Sequence, residues 1–363
     1  MPWNWQLPDW PNFTYDRAPL EPLERQFLFA QGKLAGAWAC FPAPEQEGLL
    51  IDILGEEALR TSEIEGEILD RDSVQASLRR QFGLETDGRK LPPAEQGIAT
   101  LMVDLYRTFA DNLSEAVLHC WHEAICQGRR DLKAIGAYRQ GAEPMQVVSG
   151  AVYAPKVHFE APPSHRVPDE MKAFIDWFNG SAVLPPLTRA GLAHLHFVSV
   201  HPYEDGNGRM ARALAAKALA QGTNQPSLLT LARSIEQARK SYYSQLAQAN
   251  SQMEVTDWLV WFAERSLHAA VHSEELMRFV VLKTRFYDRY ADRLNGRQAK
   301  VIARLFREGV AGFKGGLSAE KYISLTGASR ATATRDLLEL VSLGALGRTG
   351  VLKGTRYHLV LET

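Results

Sequence analysis

Positions 201–212 of the chain read His-Pro-Tyr-Glu-Asp-Gly-Asn-Gly-Arg-Met-Ala-Arg. Helically spaced apolar residues precede this stretch over positions 188–200. Positions 211–220, which follow directly, are rich in the strong helix formers Ala, Leu and Lys. The pattern predicts two helices joined by a turn, with the second helix beginning inside the stretch.

A turn that opens a helix favours a bound anion, because it exposes unpaired N–H groups and the positive end of the helix dipole. Gly206 and Gly208 let phosphate oxygens approach the main chain closely. Arg209 and Arg212 lie three residues apart, so they share one face of the helix and can bind one polyphosphate. The stretch therefore predicts a phosphate site at a helix start.

Two other side chains in the stretch suit chemistry at such a site. Asp205 offers hard oxygen ligands for a Mg2+ ion that bridges phosphates. His201, at the end of the first helix, can take a proton from an attacking hydroxyl near neutral pH. A metal cluster with His194 and His196 is disfavoured, because residues two apart point to different faces of a helix. We predict that both are buried packing or hydrogen-bonding residues.

Positions 201–212 resemble the Fic family motif, H-x-F-x-(D/E)-G-N-G-R-x-x-R, with Tyr203 in place of the usual Phe. The resemblance implies that Tyr203 packs in the core, where its hydroxyl needs a hydrogen-bond partner. It also implies that His201 is the general base and that Asp205 is the Mg2+ ligand. Gly206, Asn207 and Gly208 would form the nest for the α- and β-phosphates. Arg209 would bind the β-phosphate and Arg212 the γ-phosphate.

The reaction implied by this resemblance is nucleotidyl transfer. A Ser, Thr or Tyr hydroxyl of a target protein, or of the chain itself, attacks the α-phosphorus of ATP and retains AMP. Catalysis of this kind depends on positioning and charge neutralisation. The related Doc-like kinases carry Lys where this chain has Gly208, and transfer of phosphocholine or UMP stays open.

A second motif lies upstream, Thr61-Ser62-Glu63-Ile64-Glu65-Gly66. It resembles the family's inhibitory motif, (S/T)-x-x-x-E-(G/N), in the class that carries it before the core. The resemblance implies that Glu65 pairs with Arg212 in the place of the γ-phosphate and holds the enzyme autoinhibited. Family members also use this glutamate, with a divalent metal, to hydrolyse the AMP–protein bond, so removal of AMP stays open.

The segments 136–139, 145–150 and 157–163 predict an extended hairpin that ends at prolines, with an insertion over 151–156. The hairpin resembles the family's flap, whose edge holds a target peptide by strand addition. Its edge residues would be Val147, Val148, Ser149 and Gly150. Farther along, Tyr242, Tyr243 and Asn250 match the family's adenine-side and ribose-side pattern, although an aromatic pair is more often a core feature.

The composition bounds the class of protein. The chain has 363 residues, 45% of them hydrophobic, which is enough for two or three domains with cores. A net charge of -1 predicts no overall affinity for nucleic acid or acidic membranes. Three cysteines without disulfide spacing, and no leader-like or membrane-spanning stretch, favour a cytoplasmic protein. We also expect a homodimer.

The N-terminal region combines aromatic residues and prolines over positions 2–15, a pattern predicted to pack onto the next domain. Helices are predicted at 22–40 and 49–81, the second with Glu65 in its middle. A Gly-, Asp- and Pro-containing break follows at 83–93.

The end of the chain is basic. Leu294 to Thr363 contains 11 Lys and Arg against 5 Asp and Glu, a local charge of +6 that leaves -7 elsewhere. Two helices, a turn at Gly327, a third helix and a hairpin resemble a winged helix-turn-helix, with Ser318 and Ser329 as helix N-caps. The residues suited to DNA contact are Ser329, Arg330, Thr332, Thr334, Arg335, Lys353 and Arg356. A dimerisation or protein-docking role stays open.

We therefore predict a mostly α protein in three parts: an N-terminal inhibitory module (1–90), a Fic helical core with a β-hairpin flap (91–292) and a winged helix-turn-helix (293–363). The predicted function is protein adenylylation from ATP and Mg2+. The alternative is a DNA-binding transcriptional regulator whose Fic core senses nucleotide. His201 argues against that alternative, because binding a nucleotide does not require a base.

Overall fold

In the computed structural model, the described residues are 2–84, 88, 90–151, 154–309, 313 and 315–361. The chain divides into two compact units, Met1–Ser273 and Glu274–Thr363, and both are mostly helical. The division into 1–90, 91–292 and 293–363 stays a prediction. Within the part of the chain that the structure describes, no helix combines the length and the apolar composition needed to cross a membrane.

Besides the 3-10 turns Asn4–Gln6 and Ser164–Arg166, the described residues of the first unit form ten α-helices and a hairpin before the long helix α11 begins. They are α1 (Leu20–Ala39), α2 (Ala43–Ile64), α3 (Arg71–Gln81), α4 (Pro93–Thr108), α5 (Glu115–Ile125), β1 (Gln146–Ala151), β2 (Ala154–Glu160), α6 (Val167–Gly180), α7 (Pro186–Val200), α8 (Asn207–Thr223), α9 (Leu231–Gln237), α10 (Arg239–Ala249) and α11 (Thr256–Tyr290). The division between the two units falls inside α11.

The helix α7 forms the centre of the first unit, since every one of its residues is buried. A helix that is apolar on all sides is a core helix, so its ends are fixed by the elements packed around it. Helix α8 packs along α7 and is itself buried over most of its length. The turn between them, predicted from the sequence, is therefore held between two buried helices.

One predicted helix is in fact two. The expected helix over 49–81 ends at Ile64, and α3 begins only at Arg71. Gly66 has a φ of 87°, which favours glycine and turns the chain out of the helix. Asp70 then caps α3 by accepting a hydrogen bond from the Ser73 N–H. Glu65 is therefore the C-cap residue of α2 and does not lie in the middle of a helix.

The N-terminal segment packs onto the rest of the first unit, as predicted. The Asn4 N–H donates to the Asn250 carbonyl at 2.7 Å, and the Trp5 indole donates to the Glu160 carbonyl at 2.7 Å. The Trp10 indole donates to the Glu170 carboxylate at 2.8 Å. Trp5 is buried and Trp10 partly buried, while each indole N–H group keeps a partner.

Besides the 3-10 turn Leu352–Gly354, the described residues of the second unit form the end of α11 and six further elements. They are the short 3-10 helix Ala291–Arg293, α12 (Gly296–Arg307), α13 (Ala319–Thr326), α14 (Arg330–Ser342) and the antiparallel hairpin of β3 (Leu346–Thr349) and β4 (Arg356–Leu359). Ser318 and Ser329 cap α13 and α14 as predicted, since their hydroxyls accept from the N–H groups of Lys321 and Thr332. The Lys353 side chain lies outside the described residues.

Candidate active site

The turn between α7 and α8 places His201 in a rare backbone conformation. Its φ of 51° and ψ of 59° lie in the left-handed region, and its N–H donates to the Phe197 carbonyl at 3.0 Å. A non-glycine residue adopts this conformation at a cost of about 1–2 kcal/mol. The surrounding structure must therefore hold His201 there.

The imidazole of His201 is arranged as a base. Its Nδ1 lies 3.2 Å from the Val198 carbonyl oxygen, which can only accept, so Nδ1 carries the proton and Nε2 keeps its lone pair. Burial and, to a smaller extent, the Arg139 cation lower the pKa of His201 to about 4, against the raising effects of the Val198 carbonyl, Glu65 and Asp205. The ring is thus neutral at pH 7 and able to accept a proton.

The start of α8 has the predicted glycine geometry. Gly206, with a φ of 80°, precedes Asn207, the first helical residue. The Asn207 side chain accepts from the Tyr203 N–H at 3.0 Å and donates to the Tyr203 carbonyl at 2.8 Å. Its amide side chain thus ties the turn together, and only its main-chain N–H remains to meet an anion.

A carboxylate lies against this helix start. A Cβ atom added to Gly208 would lie 2.1 Å from Glu65 Oε1 and 3.2 Å from Arg212 Nη1, so a side chain at this position would displace the Glu65 carboxylate. The site predicted to hold phosphate is therefore in contact with the Glu65 side chain.

Arg212 binds the end of α2 through three hydrogen bonds. Its Nη2 donates to Glu65 Oε1 at 2.7 Å and to the Thr61 carbonyl at 2.8 Å, and its Nε donates to the Thr61 hydroxyl at 2.7 Å. Arg212 is 3% exposed. Burial opposes its charge, but the Glu65 carboxylate outweighs burial and raises the Arg212 pKa.

Arg209 is held by a carboxylate that the sequence motifs did not single out. Its Nη1 donates to Glu67 Oε2 at 2.7 Å, and the guanidinium is buried while Glu67 is partly exposed. Among the described residues, Arg209 Nε and Arg212 Nη1 are buried without any hydrogen-bond partner. Two buried guanidinium groups with unused donors at a helix start are suited to an anion with several oxygens.

Asp205 is the candidate metal ligand, and it is already paired. Its Oδ2 accepts from Arg129 Nη1 at 2.5 Å, and Arg129 also pairs with Asp131 at 2.6 Å. Burial raises the Asp205 pKa, but the bonds from Arg129 and the Gly206 N–H outweigh it and lower the pKa. The carboxylate is thus ionised and 39% exposed, as a ligand for a divalent cation must be.

Tyr203 has the partner that its hydroxyl was predicted to need. The hydroxyl lies 3.0 Å from His119 Nδ1, and the residue is fully buried. Its ring stacks on His122 with centroids 4.0 Å apart. His194 and His196 are buried as predicted, with His194 Nε2 3.0 Å from the Tyr242 hydroxyl.

The predicted nucleoside-side residues lie on and after α10. Tyr242 is 2% exposed and packs as a core residue, whereas Tyr243 is 42% exposed and donates its hydroxyl proton to the Ile64 carbonyl at 3.1 Å. Asn250 is buried, and its Oδ1 has no partner among the described residues. The structure therefore places Tyr243 beside the end of α2, next to Glu65.

The predicted flap is an antiparallel hairpin of β1 and β2, but its details differ from the prediction. Val147 and Val148 are exposed edge residues, and Ser149 and Gly150 pair with Lys156 and Pro155. Positions 151 and 154–156 belong to the strands, where pairing satisfies their main-chain groups; 152 and 153 lie outside the described residues. That 151–156 is an insertion relative to the family stays a prediction. Segment 136–139 is not a strand, and Arg139 is buried instead.

The site geometry can be compared with known proteins. Residues 112–219 match a family model described as Fic/DOC family. This chain carries a Fic/DOC domain. Residues 3–84, which include Glu65 and Glu67, match a model described as a domain of unknown function, DUF4172.

Curated relatives of the Fic/DOC domain are named protein adenylyltransferases. The protein adenylyltransferase fic-1 of Caenorhabditis elegans is 36% identical over 86 residues, which are 23% of this chain and 16% of that protein. The protein adenylyltransferase Fic of Nematostella vectensis is 37% identical over 83 residues, 22% of this chain and 18% of that protein. The chain thus aligns with less than a fifth of the length of these relatives.

Solved structures share the fold. A Fic family protein from Desulfovibrio desulfuricans has a TM-score of 0.54 at 21% identity, covering 97% of this chain and 99% of that one. A Fic domain containing signaling protein from Bacteroides thetaiotaomicron has a TM-score of 0.51 at 19% identity, covering 73% of this chain and 97% of that one. At such identities the likeness shows a common fold.

Three charged residues at the Fic/DOC site were not predicted from the sequence: Glu67, Arg129 and Arg139. Glu67 stands two residues after Glu65, and the alternation Glu-Gly-Glu around a helix end was a signal that both carboxylates could face the same site. Arg129 lies 76 residues from Asp205, its partner. Arg139 lies 62 residues from His201, to whose carbonyl it donates. Such long separations leave no pattern in the sequence.

Proposed function

We propose that the Fic/DOC domain of this chain transfers AMP from ATP to a hydroxyl of a target protein or of the chain itself. The observation that carries the proposal is the pair of buried arginines, Arg209 and Arg212, whose unused donors lie at the glycine-rich start of α8 beside a neutral His201. Phosphate oxygens satisfy such donors, and a neutral imidazole can deprotonate an alcohol. The named relatives support the same activity.

The proposed step begins with proton transfer from the acceptor hydroxyl to Nε2 of His201. The hydroxyl oxygen then forms a bond to the α-phosphorus, and the bond from that phosphorus to the oxygen bridging to the β-phosphate breaks. Pyrophosphate leaves and AMP stays on the protein. Arg209, Arg212 and the first N–H groups of α8 neutralise the charge that develops on the phosphate oxygens.

The exposed and ionised Asp205 fits a Mg2+ ion, which when bound would neutralise charge on the phosphates of ATP. Arg129 is the competing partner of this carboxylate and would have to give it up. We propose that the same pocket, with a divalent metal bound, also hydrolyses the AMP–protein bond. In that reaction Glu65 would take part in the chemistry instead of pairing with Arg212.

We further propose that the end of α2 holds the enzyme inactive. Glu65 takes up Arg212 and lies against Gly208, while Glu67 takes up Arg209. A bound triphosphate would need both guanidinium groups, so it must displace both carboxylates. Release of this segment from the two arginines would then activate the enzyme.

The proposed activity is tested with ATP labelled on the α-phosphate and, separately, on the γ-phosphate. We expect label from the α position on protein, more of it with Glu65→Gly and almost none with His201→Ala. Label from the γ position would indicate a kinase, and unlabelled protein with Glu65→Gly despite bound ATP would favour a nucleotide sensor. Labelled UTP and CDP-choline test the other donors.

A second proposal concerns Glu274–Thr363, which we propose is a winged helix-turn-helix that binds DNA. The supporting observation is the exposed N-terminal half of α14, where Arg330, Thr334 and Arg335 face solvent after the αL turn at Gly327. Gel shifts with the full chain should weaken steeply with salt and with Arg335→Gln. Binding that is insensitive to salt, or no binding, would favour a protein-docking role.

A further inference from the structure

Arg139 is a buried arginine in the irregular segment between α5 and β1. It is 5% exposed, and its guanidinium reaches three main-chain carbonyls. Nε donates to the His201 carbonyl at 2.7 Å, and Nη2 donates to those of Pro162 at 2.5 Å and Val200 at 3.4 Å. Its own N–H donates to the Pro202 carbonyl at 2.9 Å.

This guanidinium carries its charge without an ionic partner. Among the described residues no carboxylate pairs with Arg139, and burial lowers its pKa to about 10. The side chain thus remains protonated at pH 7. A buried cation is costly unless its donors are satisfied, and here carbonyl oxygens alone satisfy them.

Three of the four carbonyls bound by Arg139 belong to consecutive residues, Val200, His201 and Pro202. The peptide groups on both sides of His201 are therefore oriented by one residue. A peptide plane with a fixed carbonyl direction restricts the adjacent φ and ψ angles, and these are the angles that are strained at His201.

We infer that Arg139 is a positioning residue for the reaction proposed above: it holds His201 in the left-handed conformation and links that conformation to Pro162, two residues after β2. In this conformation Nδ1 meets the Val198 carbonyl and Nε2 has no hydrogen-bond partner among the described residues. The inference rests on the proposed function in assigning His201 the role of base. The contacts themselves do not depend on it.

The link to Pro162 gives the arrangement a second consequence. The same Nη2 atom binds the carbonyls of Pro162 and Val200, so the base of the β1–β2 hairpin and the turn of the catalytic histidine share one donor. A target segment that pairs with the hairpin edge would thus be positioned relative to His201 through Arg139.

The positive charge of Arg139 provides a readout that does not depend on enzyme activity, namely the pKa of His201. The charged groups that act on His201 are Arg139, Glu65 and Asp205; the arginine opposes protonation of the imidazole and the carboxylates favour it. When the cation at position 139 is removed, burial alone of these lowering effects remains against the two carboxylates. The pKa of His201 should then rise.

The kinetic test compares Arg139→Met with Arg189→Met, both in the Glu65→Gly background. Arg189 is the matched control: it is 2% exposed and binds Phe178, Ser181 and Gln221, away from His201. We expect Arg139→Met to lower kcat about 10- to 100-fold, the scale of a misplaced catalytic group. ATP affinity, measured by calorimetry, should change less than about 3-fold.

Equal losses of kcat, ATP affinity and Tm in both variants would overturn the inference, because they would indicate a structural role alone. If Arg139→Met does not fold, Arg139→Lys carries the test. Lysine keeps the charge but cannot replace the planar set of donors, so kcat should fall while the His201 pKa stays low. Unchanged kcat in Arg139→Lys, with normal Tm, would equally overturn it.

A measurement that needs no activity separates this inference from the proposed function. NMR titration of His201 in chains that retain Glu65 should show a higher pKa with Arg139→Met than with Arg189→Met, and a crystal structure should show a changed φ at His201. If these results appear but no AMP is transferred, the proposed function is wrong, but Arg139 still positions His201. If the pKa and φ are unchanged, the inference fails whatever the reaction.

Discussion

The Glu67 carboxylate lies 2.7 Å from Nη1 of Arg209. In the neighbouring Glu65–Arg212 pair the nitrogen–oxygen distance is also 2.7 Å. Both arginines at the start of α8 are therefore paired with the segment that lies between the end of α2 and the start of α3. The left-handed turn at Gly66 places the two carboxylates, two residues apart, on two arginines that lie three apart. Blocking of the site is thus shared between two contacts of similar exposure, since the Glu67 side chain is 36% exposed and the Glu65 side chain 31%.

We predict that Glu67→Gln strengthens ATP binding about 2- to 5-fold, because a partly exposed ion pair contributes at most ~1 kcal/mol. Calorimetric titration with ATP measures the change. Glu63→Gln is the matched control, since Glu63 is 35% exposed and pairs with Arg60 outside the site, against 36% for Glu67. Equal effects of the two substitutions would mean that general charge, and not this contact, is responsible.

Glu65→Gln should strengthen ATP binding more than Glu67→Gln, about 10-fold, because Glu65 both pairs with the buried Arg212 and lies against Gly208 in the predicted phosphate site, and a hydrogen bond between charged groups contributes ~1.5 kcal/mol or more. The same titration tests it. Ser62→Ala serves as the control, because the buried Ser62 hydroxyl has no partner among the described residues. Binding that is unchanged by Glu65→Gln would contradict the proposed autoinhibition.

Activity should remain nearly constant from about pH 8 down to about pH 5 and fall at lower pH. Burial, with the Arg139 cation second, lowers the pKa of His201 to about 4, so the imidazole is neutral and basic above that pH and protonated below it. The kcat profile of Glu65→Gly measures this limb. A midpoint at pH 6.5 or above would show that His201 does not have the low pKa described here.

Stability should fall as the pH decreases from about 6.5 towards 4. Burial lowers the pKa of His122 to about 4 and those of His194 and His196 to about 3, from 6.5 for the exposed ring. The unfolded chain then binds more protons than the folded one in this range, so acid favours unfolding. Tm measured against pH should show a smaller acid loss for His196→Phe than for the parent chain.

Tyr203→Phe, which restores the usual residue of the motif, should lower the free energy of unfolding by about 0.5–1.5 kcal/mol. It removes the buried hydroxyl that bonds to His119 and leaves that ring without this partner. Tyr138→Phe is the contrasting variant, since the buried Tyr138 hydroxyl has no partner among the described residues and its loss should be neutral or stabilising. Urea unfolding of both variants measures the difference; equal losses would show that the His119 bond contributes nothing.

The local features of the site could be predicted because they depend on residues close together in the chain. The turn after α7, the helix that begins at Asn207 and the caps at Ser318 and Ser329 follow from helix and turn chemistry within a few positions. The expected helix over 49–81 was wrong because the left-handed turn at Gly66 and the cap at Asp70 outweigh the helical spacing of its apolar residues.

The amino-acid sequence by itself determined the mostly helical architecture, the Fic/DOC domain and the glycine-rich helix start with its two arginines. Only the tertiary structure decided what those arginines bind and how His201 is held. Glu67 reaches Arg209 across 142 residues and Arg139 reaches His201 across 62. Charges buried among distant segments are chosen by packing and by the need to satisfy every buried donor, and such constraints exist only when the chain is folded.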